Sequence, residues 1–98
     1  MYGTVARIRV KPGAEDALMA QLRAYSSLGV PGYQRSYAYR MDTNPAEFYL
    51  AIVFDSKESY RANAESPEQD KRYREMLALL DGEPEWHDGE ILTDAAAG

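Results

Sequence analysis

The chain contains no cysteine. That removes disulfides, thiolate nucleophiles and cysteine metal sites together. It has one histidine, His87, beside its one tryptophan, Trp86. A single histidine without cysteine leaves no dedicated zinc site within one chain, so no metal is expected. No apolar run approaches the roughly 20 residues that span a bilayer, and no membrane partner is expected. Positive charge is also scarce. Eleven Lys and Arg stand against 16 Asp and Glu, a net charge of -5, which argues against nucleic acid as the main partner. No basic stretch with an apolar run behind it precedes the strand pattern that begins at Tyr2, so no signal peptide is expected. Together with the missing cysteine this fits a cytoplasmic protein. Ninety-eight residues leave room for one compact domain, read here as residues 1–98 with Ala95 to Gly98 as a frayed tail.

What is present centres on Glu47 to Asp55. This stretch has a strand's length and is dominated by aromatic and β-branched residues. Phe48, Leu50, Ile52 and Phe54 point to one side; Tyr49, Ala51 and Val53 point to the other. Neither side is polar, unlike a small antiparallel sheet with one wet face. Helices can cover one side; in a chain this short, a second copy of the same chain covers the other.

Around this strand the elements read in order. A first strand runs from Tyr2 to Val10, with Tyr2, Thr4, Ala6, Ile8 and Val10 on one face and Gly3, Val5, Arg7 and Arg9 on the other. After the Lys11-Pro12-Gly13 turn a helix runs from about Ala14 to Leu28. Its apolar stripe is Ala14, Leu18, Leu22, Tyr25 and Leu28, and Gly29 caps it. A second strand spans Gly32 to about Arg40, with Tyr33, Arg35, Tyr37 and Tyr39 on one face. Asp42 to Pro45 turns the chain into the central strand. Asp55, with Glu58 three residues on, caps a short helix over Ser56 to Ala64. Ser66-Pro67 opens a second long helix with the stripe Tyr73, Met76, Leu77 and Leu80, ended by Gly82 and Pro84. A last strand covers about Gly89 to Asp94, led in by Glu85 to Asp88, with Asp88-Gly89 as a bulge or tight turn. This order makes an α+β, ferredoxin-like βαββαβ unit. Its four-stranded antiparallel sheet has the first and third strands central and both helices on one face. Arg7 and Arg9 lie on the other face, where a covering partner would require carboxylates beside them; Glu47, Asp88 and Glu90 are the candidates.

Several local features carry a family resemblance. They are Arg9 to Gly13 at the end of the first strand before an acidic helix start, Pro31-Gly32 opening the second strand, Phe54 to Tyr60 leaving the third, and Ser66-Pro67. With these the sequence resembles the antibiotic-biosynthesis-monooxygenase-like domains of the dimeric α/β-barrel superfamily, over nearly its whole length. The resemblance implies a homodimer with two sheets face to face and a small-molecule cavity between helices and sheet. It also implies a cofactor-independent monooxygenase acting on a small aromatic or polyketide-type molecule. Within the same superfamily stand isomerases, cyclases, haem degraders and domains with no reaction, so a non-catalytic binding or structural dimerisation role is the alternative. Haem degradation is disfavoured: relatives that do it use an asparagine in the first strand and a histidine on the second long helix. Ala6 stands near the first place, and Pro67 to Asp81 has no histidine. The tryptophan that anthrone-oxidising relatives carry after the third strand is absent too.

Cofactor-free oxygenation needs an ionisable phenolic substrate, a hydrogen-bond partner for its oxygen and a dry pocket. In the family, tyrosine, tryptophan, asparagine and arginine do this work. Asn63 and Tyr60, one helical turn apart on the short helix, and Tyr73 on the long helix are the candidate catalytic residues. The plainer readings are a backbone-bonded helix end for Asn63 and core packing for the tyrosines. Tyr37 and Arg35 on the second strand, with Trp86 and His87, are the candidate ligand-binding residues. Cross-strand packing, dimer contact or a solvated histidine are the plainer readings there.

Overall fold

A computed structural model describes residues 1–98. The elements are β1 (Tyr2–Arg9), α1 (Glu15–Tyr25), β2 (Tyr33–Arg40), β3 (Glu47–Phe54), α2 (Lys57–Ala64), α3 (Pro67–Leu77) and β4 (Glu85–Glu90). One antiparallel sheet has the order β2-β3-β1-β4, the ferredoxin-like arrangement with β1 and β3 central. No helix is long and apolar enough to cross a membrane.

The alternation in β1 and β3 decides where the core lies. Ala6, Ile8, Phe48, Leu50 and Phe54 are buried together with Leu18 of α1, Met76 of α3 and Leu80 beyond it. This is the helix-covered face. Gly3 pairs so closely with β3 that an added Cβ would stand 1.9 Å from the Ile52 carbonyl oxygen. The other face carries Val5 and Arg7 of β1 and Tyr49, Ala51 and Val53 of β3. No part of the chain covers it, and Val5, Tyr37 and Tyr39 are each about half exposed there.

Several boundaries differ from the sequence reading, each for a local reason. α1 ends at Tyr25, not Leu28: the amides of Ser26, Ser27 and Leu28 bond three residues back, to Arg23, Ala24 and Tyr25. This is a tightened last turn, which leaves Leu28 half exposed and hands the chain to Gly29 at φ 68°. The cap of α2 is Ser56, not Asp55; its hydroxyl accepts from the Ser59 amide at 3.1 Å. Ser66 caps α3 as expected, accepting from the Gln69 amide at 3.1 Å with Pro67 at the first position.

β2 carries an irregularity between Tyr33 and Arg35. The extra residue of a bulge reverses the alternation, so Tyr33 shares the helix face with Phe54 while Arg35, Tyr37 and Tyr39 lie beside Val53, Ala51 and Tyr49 on the open face. The four were expected on one face. β4 lies at Glu85–Glu90 rather than 89–94, with Asp88 opposite Thr4 and Gly89 opposite Gly3 in unbroken register. Neither a bulge nor a tight turn occurs there. The ladder runs to Glu90 opposite Tyr2, and the Ile91 amide reaches the Met1 carbonyl just past it.

A cleft lined by paired tyrosines

The β4 register has a direct consequence for the site. Trp86 and Asp88 sit opposite Ala6 and Thr4, on the helix face; His87 and Glu85 sit opposite Val5 and Arg7, on the open face. The sequence-derived site residues therefore divide. Asn63, Tyr60, Tyr73 and Trp86 border one cleft between the helices and the sheet. His87 is turned to the open face, where its Nε2 lies 3.0 Å from Glu85 Oε1. Arg35 and Tyr37 border a separate, more open groove along α1 and the β2 edge, with their side chains registered to the open face by the bulge.

The cleft holds about 450 Å³, within the range of small-molecule sites. Its floor is Thr4, Leu50, Ile52 and Phe54; α1 and the α2–α3 pair form its walls. Aromatic rings run around it in edge-to-face contact: Tyr25 with Tyr33 at 4.9 Å, Tyr33 with Phe54 at 5.8 Å, and Phe54 with Tyr60 at 5.5 Å. Tyr73 and Trp86 are paired at 6.0 Å. Such pairs fix ring orientation beyond what burial alone does.

Two polar clusters stand among the lining residues. At one, Asn63 Nδ2 donates to the Tyr25 hydroxyl at 2.9 Å, and the Arg72 guanidinium lies 5.3 Å over the Tyr25 ring. Burial pushes the Tyr25 hydroxyl up from its ordinary pKa; Asn63 and Arg72 pull it part of the way back. The backbone end of α2 is satisfied independently, because the Asn63 carbonyl accepts from the Ser66 hydroxyl at 2.9 Å. The Asn63 side chain is thus committed to Tyr25 and not to capping. At the other place the Tyr60 hydroxyl donates to Asp88 Oδ1 at 2.8 Å. Burial first, then the neighbouring Asp88 carboxylate, raise Tyr60 well above the ordinary tyrosine value. Both tyrosines stay protonated at neutral pH, so they orient oxygen atoms and do not serve as bases.

Two buried polar atoms have no partner, Thr4 Oγ1 and Gln21 Oε1. Both residues border this cleft. Buried polar atoms are nearly always hydrogen-bonded, so these are the positions where a bound polar group gains most. No three His, Asp or Glu side chains gather as a metal-binding group.

Tyr25, Arg72, Thr4 and Asp88 escaped the sequence reading as site residues. Tyr25 sits within the apolar stripe of α1 and reads as core. Thr4 sits among apolar residues on the inner face of β1. Asp88 reads from sequence only as a partner for arginine on the opposite face. The one usable signal was parity: in a strand, Trp86 and Asp88 share the face opposite His87, and the register then puts that face inward.

No curated protein matches the sequence. Among solved structures, a Chloroflexus aurantiacus protein classed as an antibiotic biosynthesis monooxygenase is 26% identical, with 99% of this chain and 98% of that one covered and a TM-score of 0.73. SnoaB, a cofactor-independent oxygenase from Streptomyces nogalater, is 16% identical over 95% of this chain and 94% of its own, with a TM-score of 0.78. A Nitrosomonas europaea protein of the same class gives 16% identity, 97% and 93% coverage and a TM-score of 0.78. The sequence model described as antibiotic biosynthesis monooxygenase matches residues 1–75, most of the chain and every element as far as α3. The chain belongs to the antibiotic biosynthesis monooxygenase family.

Proposed function

We propose that this chain is a cofactor-independent monooxygenase that binds a small aromatic, polyketide-type molecule in the cleft beneath α2. In this reading residues 1–98 form one domain and act as a cytoplasmic homodimer joined through the open sheet face. The observation that carries the proposal is the pairing of Asn63 with Tyr25 inside an aromatic-walled cleft. The Tyr25 oxygen accepts from Asn63, so its own O–H is free to donate to a ligand carbonyl or phenolate. Placing a donor where negative charge grows stabilises that charge in a dry site more than in water.

The reaction class is balanced without a cofactor. A ligand carbon activated by an adjacent phenolate or enolate loses a proton and adds dioxygen. The resulting hydroperoxide sheds water to leave a carbonyl, so CH2 and O2 become C=O and H2O. Tyr25, oriented by Asn63, would hold the ionised oxygen, Tyr60 would meet another polar group of the ligand, Tyr73 and Trp86 would pack as one paired wall against its rings, and the ligand's own acidity would supply the anion. Arg35, Tyr37 and His87 belong in this reading to the interface and not to the ligand.

The test is oxygen uptake with hydroxylated anthrones and naphthoquinols, comparing the native chain with Asn63→Ala. Losing one positioning donor should lower turnover by about 10²-fold. Its stability cost should be about 1 kcal/mol, the net worth of one hydrogen bond. Binding without any oxygen uptake would replace the enzyme with a non-catalytic binding domain. Unchanged turnover in Asn63→Ala would remove that residue from the mechanism.

A further inference from the structure

We infer that Thr4, Tyr60 and Asp88 form a hydroxyl-recognition subsite at the β1–β4 side of the cleft, selecting ligands whose aromatic ring bears a free O–H. The inference rests on the cleft reading above and adds to it the chemistry of one ligand end.

Three observations meet at this point. The Tyr60 hydroxyl spends its proton on Asp88, 2.8 Å away. A hydroxyl has one proton and two lone pairs, so what Tyr60 can still offer is an acceptor. Thr4 lies directly opposite Asp88 in the β1–β4 ladder. Its side chain is 4% exposed, and its hydroxyl makes no hydrogen bond of proper geometry, although it lies near enough to Tyr60 to offset a little of the upward shift there. Thr4, Tyr60 and Asp88 all border the same cleft. A ligand hydroxyl satisfies both residues: it donates to Tyr60 Oη and accepts from the Thr4 O–H. A methoxy oxygen can accept from Thr4 but has no proton for Tyr60, and a bare ring does neither. Either one sets an oxygen or carbon without a proton against the Tyr60 lone pairs, the situation in which polar sites discriminate most strongly. Asp88 acts through Tyr60. It is a positioning residue whose carboxylate fixes which way the tyrosine proton points.

The experiment uses two probes of nearly equal shape, 2-naphthol and 2-methoxynaphthalene. Trp86 is the only tryptophan and borders the cleft, so its single indole N–H resonance in a ¹H–¹⁵N spectrum reports binding of either probe. The native chain should bind 2-naphthol about tenfold tighter, the value of roughly one well-placed hydrogen bond. Thr4→Val keeps the shape and removes the hydroxyl; Tyr60→Phe removes the acceptor. Tyr60→Phe should bring the two probes to within about twofold of each other, chiefly by weakening 2-naphthol, whereas Thr4→Val should weaken both. Thr4→Val should melt no lower than the native chain, because it removes a buried hydroxyl that has no partner. A lower melting point would mean that the hydroxyl is already satisfied within the fold, and would overturn the inference. So would a 2-naphthol preference that survives Tyr60→Phe, unchanged binding of both probes by Thr4→Val, or equal binding of the probes by the native chain; in that last case the aromatic cleft stands and only its selectivity falls. If neither probe moves the Trp86 resonance, the cleft reading fails as well.

Discussion

Arg7 holds Glu47 by two hydrogen bonds, 3.0 and 3.2 Å long, and reaches Glu85 at 3.5 Å. The Arg7 guanidinium keeps the Glu47 carboxyl below its usual value of 4.5. A carboxylate with a lowered folded pKa contributes stability that is complete above its unfolded value and is lost as the pH falls through the folded one. Glu47→Gln should therefore lower the melting temperature at pH 7, and the gap between variant and native chain should close as the pH drops below 4.5; a gap independent of pH would mean that the pair is ornamental. That Arg7 needs a carboxylate on its face was legible in the sequence, and so was Glu47. Asp88 and Glu90 were not excluded by it, because a strand shifted by an odd number of residues exchanges its faces. Tyr25 was hidden for a different reason. A tyrosine in an apolar stripe looks the same whether its hydroxyl meets water or an asparagine 38 positions away.

At the scale of elements, the strands' faces were legible wherever alternation was clean, in β1 and β3, and lost where one residue interrupts it, in β2. The stripe of α3 was also legible, but its depth was not. Tyr73, Met76, Leu77 and Leu80 all face inward, yet only Met76 and Leu80 are fully buried. Leu77→Ala should then cost less than Met76→Ala, for which about 2–5 kcal/mol is expected from a buried side chain that leaves a cavity. Leu18→Ala, from a position with no exposure at all, belongs in the same range, while Glu75→Ala should stay within about 0.5 kcal/mol. Gly3→Ala should be costly despite adding a single methyl. The clash is with backbone, the Ile52 carbonyl, which a rotamer change cannot relieve, and about 3 kcal/mol, the upper end for overpacking, is expected. Denaturant titration of these five variants ranks them directly; equal losses at Leu77 and Glu75 would mean that the helix is rotated from its stated face.

At the scale of the molecule, the open sheet face is arranged in cross-strand rows. Tyr37, Ala51, Val5 and His87 form one; Tyr39, Tyr49, Arg7 and Glu85 form the next. An apolar row beside a charged one with its ions already paired suits a partner surface more than water. Ala51→Glu places an unpaired carboxylate between Val5 and Tyr37 and should turn the proposed dimer into a monomer in sedimentation. A native chain that sediments as a monomer at micromolar concentration would remove the interface altogether. The helical layer, by contrast, is tied to the sheet by backbone bonds at one end and by side chains, Tyr60 on Asp88 among them, at the other. The Val10–Leu80 bridge, with the Lys11 amide on the Leu79 carbonyl and the Asp81 amide on the Arg9 carbonyl, ties the exit of α3 to the exit of β1, whereas α2 contributes no buried residue. Local opening follows the weakest packing. In hydrogen exchange the Lys11 and Asp81 amides should hold their protons while those of α2 give theirs up earlier, because a helix clasped by hydroxyls and a carboxamide lets go one side chain at a time, whereas a backbone seam opens only as a whole.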